Sequence, residues 1–163
     1  MTTSHNADLG TTNEITTSRY FDAPRELVYR AWTEPDQLAR WWGPHGFTNP
    51  VCETDPRPGG LWRIDMQAPD GTIYPNTGRY LEVVPLERIV YTDVVDDDAT
   101  AWGDTPPPSS VQTVTFEDTN GGTTVTVVVR LDSPEARDAM VEMGAIAGWN
   151  ESMERLDALL AAA

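Results

Sequence analysis

The order of hydrophobic patterns constrains this chain more than any other feature. A strand pattern over residues 15–21 is followed by two short helical patterns, a run of strand patterns separated by turn residues, and a helical pattern at the end. Strands joined by short turns pair antiparallel, and one face of such a sheet must be covered. One terminal helix covers the middle of a curved sheet and leaves space toward its ends. The order therefore predicts an α+β domain that encloses a cavity.

Two short helices are predicted between the first strand and the rest of the sheet. Apolar residues recur at helical spacing after Asp22, which we expect to be the N-cap of the first helix. Pro35 interrupts this pattern and can start the second helix. Gly43 followed by Pro44 is a typical helix end. The predicted strands that follow are residues 61–67, 78–84, 88–95, 111–117 and 123–131.

A single long amphipathic helix is predicted at the C-terminus. Ser133 is suited to the N-cap and Pro134 to the first turn. Gly144 and Gly148 fall in the middle of this helix, where each glycine costs about 1 kcal/mol relative to alanine. We therefore expect both glycines to make room for close approach of the sheet or of a ligand.

The chain is predicted to form one domain with a polar leader. Residues 1–13 contain almost nothing to bury and are predicted to be a disordered leader, so the domain spans residues 14–163. Residues 96–110 are acidic and rich in proline, which predicts a long exposed loop. Trp102 in this loop is the best candidate for a contact with a partner or a second copy, so the protein is expected to be a monomer or a homodimer.

The charge distribution argues against several classes of function. The chain has 11 basic residues, all arginine, against 26 acidic ones, for a formal net charge of -15. Nucleic-acid binding requires a basic surface, so it is not expected. No apolar stretch approaches the roughly 20 residues of a membrane span, and neither a membrane span nor export is predicted. Cys52 is the only cysteine, which agrees with a reducing cytoplasm.

Several segments together resemble one known family, the homologues of the activator of the heat-shock-protein-90 ATPase within the SRPBCC superfamily. The matching segments are Phe21-Asp22-Ala23-Pro24, Trp41-Trp42-Gly43-Pro44, Gly59-Gly60 with Trp62, Asp70-Gly71, Gly78 with Tyr80, Gly121-Gly122-Thr123 and Gly148-Trp149. The chain resembles a stand-alone bacterial member, and the resemblance covers nearly all of residues 15–160. It implies a helix-grip fold, similar to birch pollen allergen and START domains. In that fold a curved antiparallel sheet of about six or seven strands wraps around a long C-terminal helix and an internal cavity.

No pattern in the sequence predicts a catalytic residue, a metal site or a cofactor. His45 is expected to be a solvated loop residue, and Cys52 a packed core residue. Two histidines and one cysteine do not provide a recognisable zinc site. The sequence also lacks the usual hydrolase, dinucleotide and phosphate-loop motifs. Tyr80, Tyr91 and Glu82 lie on strands that can line a cavity and are candidates for acid-base catalysis there. Strand alternation places Asp65 toward solvent.

The leading functional hypothesis is binding of a small hydrophobic molecule, in stress or metabolism, without covalent chemistry. Aromatic and methionine side chains with room beside glycine are typical of a mostly apolar pocket. The residues predicted to bind the ligand are Trp62, Ile64, Met66, Tyr80, Tyr91, Phe116, Met140, Met143, Gly144, Ala147 and Gly148. One alternative is a cyclase-like or hydrolase-like enzyme that uses a cavity carboxylate or tyrosine. A second alternative is a co-chaperone-like protein-interaction module.

Overall fold

A computed structural model describes residues 7–8, 13–93 and 110–162 of the chain. Its strands are β1 (Ala7–Asp8), β2 (Glu14–Phe21), β3 (Thr48–Glu53), β4 (Leu61–Gln67), β5 (Ile73–Val84), β6 (Arg88–Asp93), β7 (Ser110–Thr119) and β8 (Gly122–Leu131). Its helices are α1 (Arg25–Thr33), α2 (Pro35–Trp41), α3 (Pro134–Glu142) and α4 (Ala145–Ala161). The predicted α+β helix-grip architecture is confirmed, with seven longer strands and the two-residue β1.

The strands form one antiparallel sheet in the order β1-β2-β8-β7-β6-β5-β4-β3. The first long strand therefore pairs with the last one, and the strands between them follow as a meander. Along β5 the partner changes, because the part up to Arg79 pairs with β4 and the part from Tyr80 pairs with β6.

The buried face of the sheet follows from strand alternation. In β8, Val125, Val127, Val129 and Leu131 are each at most 2% exposed, as their alternation with polar residues predicts. Trp41 from α2 is completely buried, and its indole Nε1 donates to the carbonyl oxygen of Ala31 at 2.8 Å. The core thus lies between the concave face of the sheet and the helices.

The N-terminal predictions are corrected at two points. Ala7–Asp8 belongs to the segment predicted to be disordered, but it pairs with β2. Asn13 also exchanges hydrogen bonds with Leu131, since the Leu131 amide donates to the Asn13 carbonyl oxygen at 2.9 Å. The expected N-cap, Asp22, is wrong because Pro24 occupies the cap position of α1, without a side-chain cap. In contrast, α2 begins at Pro35 as expected.

The predicted single C-terminal helix is two helices. Ser133 caps α3 as expected, with its hydroxyl oxygen accepting from the Ala136 amide at 3.0 Å. Gly144 then adopts a left-handed conformation with φ of 89° and becomes the N-cap of α4. A left-handed residue cannot continue a right-handed helix, and glycine adopts it without the penalty of a side chain. Gly144 therefore separates the helical layer that covers the sheet into α3 and α4.

Two further predictions fall almost entirely on residues outside the described ranges. The loop predicted over residues 96–110 lies outside them except for Ser110, which begins β7, and Trp102 lies outside them as well. Within the described part of the chain, no helix is long and apolar enough to cross a membrane.

Candidate functional site

A cluster of aromatic rings fills the space between the sheet and the helices. Trp32 of α1 stacks on Trp149 of α4, with ring centroids 6.0 Å apart. Trp42, directly after α2, meets Trp149 edge to face at 5.5 Å and lies 6.4 Å from Trp62 of β4. Trp62 in turn meets Tyr91 of β6 edge to face at 5.7 Å. The rings form a connected wall from the sheet to α4, and two spaces adjoin this wall.

The position of Trp62 depends on a glycine in the next strand. Gly78 is its partner across the β4–β5 pair, and the Trp62 indole Nε1 donates to the Thr92 carbonyl oxygen at 3.1 Å. A Cβ atom at position 78 would lie 2.5 Å from the indole and closer still to the Thr92 carbonyl oxygen. Gly78 thus allows the indole to lie flat across the sheet.

The first space is a small apolar cavity behind Trp42. Its lining consists of Trp32, Leu38, Trp42, Trp62, Ile64, Tyr80, Ile89 and Tyr91. Four of these residues, namely Trp62, Ile64, Tyr80 and Tyr91, are among those predicted to bind the ligand. The volume open to the centre of a water-sized sphere is about 20 Å³, which is room for about one water molecule. This inner cavity can take one small group, but not a whole ligand.

The second space is a larger groove between the sheet, the end of α2 and the two C-terminal helices. By the same measure its volume is about 170 Å³. Its lining consists of Trp42, Gly43, Pro44, Met66, Asn76, Gln112, Met140, Ala145, Gly148, Trp149 and Ser152. Met66, Met140 and Gly148 were predicted from the sequence, and Trp42 lines both spaces. A Cβ atom on Gly148 would meet nothing within 4 Å, so the glycine leaves open space in the groove.

The other predicted ligand-binding residues line neither space. Phe116 is 2% exposed and packs edge to face on Tyr29, with centroids 5.4 Å apart. Met143, at 49% exposure, faces outward, and Gly144 and Ala147 are also exposed. For Met143, Gly144 and Ala147 the physical reason is the helix break, after which the groove face of α4 follows the helical spacing of residues 145, 148, 149 and 152.

Three polar residues that line the groove were not predicted from the sequence. Asn76, Gln112 and Ser152 are 9%, 3% and 5% exposed. The signal for the first two was strand parity: Asn76 lies four residues before the inward-facing Tyr80, and Gln112 four residues before Phe116. A polar residue at an inward-facing strand position requires a hydrogen-bonding partner. Asn76 and Gln112 therefore indicate that the sheet side of the groove is polar.

Hydrogen bonds hold these polar side chains in place. The Tyr91 hydroxyl donates to Gln112 Oε1, and Gln112 Nε2 lies 3.5 Å from the Ser110 hydroxyl oxygen. Asn76 Nδ2 donates to the Tyr74 carbonyl oxygen at 3.1 Å. Ser152 accepts from the Gly43 amide at 3.0 Å. The polar groups of the groove therefore have defined positions.

The wall formed by residues 42–45 is tied to α4. Arg155 donates through Nη1 to the carbonyl oxygens of Trp42, Gly43 and Pro44 at 2.9–3.1 Å. Burial lowers the pKa of the Arg155 guanidinium. His45, expected to be a solvated loop residue, is exposed and lies 2.8 Å from a carboxylate oxygen of Glu154. These contacts fix one side of the groove opening.

The comparisons with known proteins identify the family. The profile of the family "Activator of Hsp90 ATPase homolog 1-like protein" matches residues 22–161, which include both C-terminal helices and all strands from β3 to β8. The chain belongs to this family. None of the curated proteins matches the sequence.

Solved structures from several bacteria are similar to this member of the Activator of Hsp90 ATPase homolog 1-like family. A protein from Arthrobacter aurescens has a TM-score of 0.86 at 26% identity, over 99% of this chain and 94% of its own. A protein from Mycobacterium smegmatis has a TM-score of 0.83 at 30% identity, over 95% of both chains. One from Chromobacterium violaceum is 35% identical, with a TM-score of 0.74 over 92% of this chain and 98% of its own.

The ionisable candidates in this family member differ in their surroundings. Burial, with smaller effects from Cys52, Tyr29 and Asp55, raises the pKa of Tyr80 far above its usual range. Its hydroxyl is therefore neutral at physiological pH. Glu82 is exposed and pairs with Arg88.

Two other predicted environments are corrected or refined. Asp65, expected to face solvent, is 7% exposed and forms a two-pronged pair with Arg63, whose Nη2 lies 2.9 Å from Oδ2. Cys52 is partly buried beside the core, and burial, together with Asp36 and Glu53, raises the pKa of its thiol to about 11. In the described ranges, no three His, Cys, Asp or Glu side chains are grouped to hold a metal ion.

Proposed function

We propose that the protein binds a small hydrophobic molecule in the groove between the sheet and helices α3 and α4, without covalent chemistry. The observation that carries this proposal is the groove of about 170 Å³, with methionine and tryptophan side chains on both sides and open space at Gly148. Methionine adapts to irregular apolar shapes, and pockets of this composition are typical of small-molecule sites.

The inner cavity and the groove differ in which part of a ligand each can hold. It has room for about one water molecule, so the body of a ligand belongs in the groove. The neutral Tyr80 hydroxyl in the inner cavity can orient a polar group but carries no charge for it. This arrangement favours recognition rather than turnover.

The first test is native mass spectrometry of the purified protein compared with its denatured mass. A retained small apolar compound supports the proposal and supplies the ligand. A parallel titration uses the neutral fluorescent probe N-phenyl-1-naphthylamine, whose emission rises in an apolar site. A protein that retains no compound and does not bind the probe contradicts the proposal.

Gly148→Leu distinguishes groove binding from binding elsewhere. Its side chain extends into the open space, so we expect the affinity for the probe to fall about tenfold or more. The same change replaces a glycine in the first turn of α4 with a strong helix former, which stabilises the fold by up to about 1 kcal/mol. We therefore expect Gly148→Leu to raise the free energy of unfolding and to lower the affinity for the probe.

Ala147→Leu is the matched control, because it adds a leucine to the neighbouring, exposed position of the same helix. This variant is expected to bind the probe as the wild type does. Equal affinity in Gly148→Leu and the wild type would place the probe outside the groove and refute the proposed site.

A further inference from the structure

The groove contains an unused hydrogen-bond acceptor. Asn76 is 9% exposed, and its Nδ2 donates to the carbonyl oxygens of Tyr74 at 3.1 Å and Ile64 at 3.5 Å. These two bonds orient the amide, so Oδ1 is the remaining polar atom. Among the described residues, no group donates a hydrogen bond to Oδ1. The side chain is 9% exposed and lines the groove, so Oδ1 can accept a hydrogen bond from a ligand donor.

An unused donor lines the same groove. Ser152 is 5% exposed, and its hydroxyl oxygen accepts from the Gly43 amide at 3.0 Å. A hydroxyl also carries one proton that it can donate. Within the described part of the chain, that proton has no acceptor. The groove therefore offers both a donor and an acceptor from nearly buried side chains.

The lining of both spaces carries no positive charge. None of the residues that line the groove or the inner cavity is an arginine, a lysine or a histidine, within the described ranges. Arg155 lies close to Gly43, but its guanidinium donates to the carbonyl oxygens of Trp42, Gly43, Pro44 and Arg40. The chain as a whole has a formal net charge of -15. A buried carboxylate would therefore be desolvated without a compensating cation.

We propose that the polar group of the ligand is an uncharged hydroxyl bound by Asn76 and Ser152, so that the protein selects neutral hydroxylated molecules over carboxylates. A hydroxyl group donates and accepts, which matches Asn76 Oδ1 and the Ser152 proton. A carboxylate only accepts, so it would leave Asn76 Oδ1 without a partner and place like partial charges together. This inference rests on the proposed hydrophobic site and specifies the chemistry of the molecule that fills it.

Three probes with the same ring system test the selection. Naphthalene, 2-naphthol and 2-naphthoate are each used to displace N-phenyl-1-naphthylamine from the full-length protein at pH 7. We expect 2-naphthol to bind about fivefold more tightly than naphthalene, as one net hydrogen bond implies. We expect 2-naphthoate to bind at least about tenfold more weakly than 2-naphthol, because its charge must be desolvated.

Two variants assign the preference to its residues. Asn76→Leu and Ser152→Ala remove the acceptor and the donor, and each is expected to reduce the ratio of 2-naphthol to naphthalene affinity toward one. This ratio compares two ligands on the same protein sample, so a fraction of unfolded protein does not change it. Met140→Leu is the control, since it changes an apolar side chain of the same groove and should leave the ratio unchanged.

The outcomes separate this inference from the proposed function. If all three probes bind with equal affinity, or if 2-naphthoate binds most tightly, the hydroxyl selection is refuted while groove binding stands. A ratio that persists in both Asn76→Leu and Ser152→Ala refutes the assignment to these residues. If no probe binds at all, the proposed function fails and this inference fails with it.

Discussion

Replacing Gly78 with alanine should destabilise the fold more than replacing the turn glycine Gly71. The new Cβ would lie 2.5 Å from the Trp62 indole and closer still to the Thr92 carbonyl oxygen. The carbonyl belongs to a paired strand and cannot move without disturbing β6. The indole must also move, which breaks its 3.1 Å hydrogen bond to that same oxygen.

The magnitude follows from three contributions. Overpacking of this kind costs about 1–3 kcal/mol, and loss of the indole hydrogen bond about 1 kcal/mol more. Replacing a glycine with alanine lowers the conformational entropy of the unfolded chain, which stabilises the folded state by about 0.5 kcal/mol. We therefore expect Gly78→Ala to lower the free energy of unfolding by about 1.5–3.5 kcal/mol, measured by urea denaturation at constant m-value.

Gly71→Ala provides the comparison. Gly71 has φ of 90° in the β4–β5 turn, and a Cβ atom there would meet nothing within 4 Å. Only the left-handed backbone is penalised, so the expected loss is about 1 kcal/mol. If Gly78→Ala costs no more than Gly71→Ala, steric exclusion at Gly78 is not what holds Trp62 across the sheet, and the argument is refuted.

Two further predictions concern Arg155 and Cys52. Arg155→Met should lower the free energy of unfolding by about 2–4 kcal/mol in urea denaturation, because four backbone carbonyls lose their donor. Arg155→Lys should recover only part of this loss, since an ammonium cannot reproduce the planar donor fork, and full recovery would contradict the geometry. The raised pKa of Cys52, about 11 against an ordinary 9.0, predicts that 5,5′-dithiobis(2-nitrobenzoate) reacts at least about tenfold more slowly with the native than with the urea-unfolded protein at pH 8. The thiol has a higher pKa in the folded than in the unfolded protein, so its contribution to stability is complete below about pH 9 and is lost as the pH rises through about 11. The free energy of unfolding of the wild type should therefore fall over this pH range relative to that of Cys52→Ala. A rise would contradict the prediction.

Much of the fold was predictable because it depends on local patterns. Alternation in β8 identifies its buried face, and Pro35 marks the start of α2, both as observed. The break at Gly144 was not predictable in the same way. A glycine inside a helical pattern is compatible with a tolerated helix residue or with a left-handed stop, and tertiary packing decides between them.

The candidate site was predictable only in part. Trp62 and Tyr80 lie on strands whose parity places them inside, and both line the inner cavity. The size of that cavity depends on how Trp32, Trp42 and Trp149 from three separate segments pack together, which no local pattern contains. Asn76 was missed because it precedes the strand predicted over residues 78–84, whereas β5 begins at Ile73.

The left-handed Gly144 gives the two halves of the helical cover unequal strength. In α4, Ser152, Met153 and Leu156 are buried, and Arg155 anchors the helix to the chain after α2. In α3 no residue is fully buried, although Met140 packs against the core and lines the groove. Local opening requires the least free energy where the fewest apolar contacts must be broken. If the groove binds a ligand as proposed, displacement of the nine residues of α3 would open it while the rest of the domain stays folded, so that α3 would set the rates of association and release.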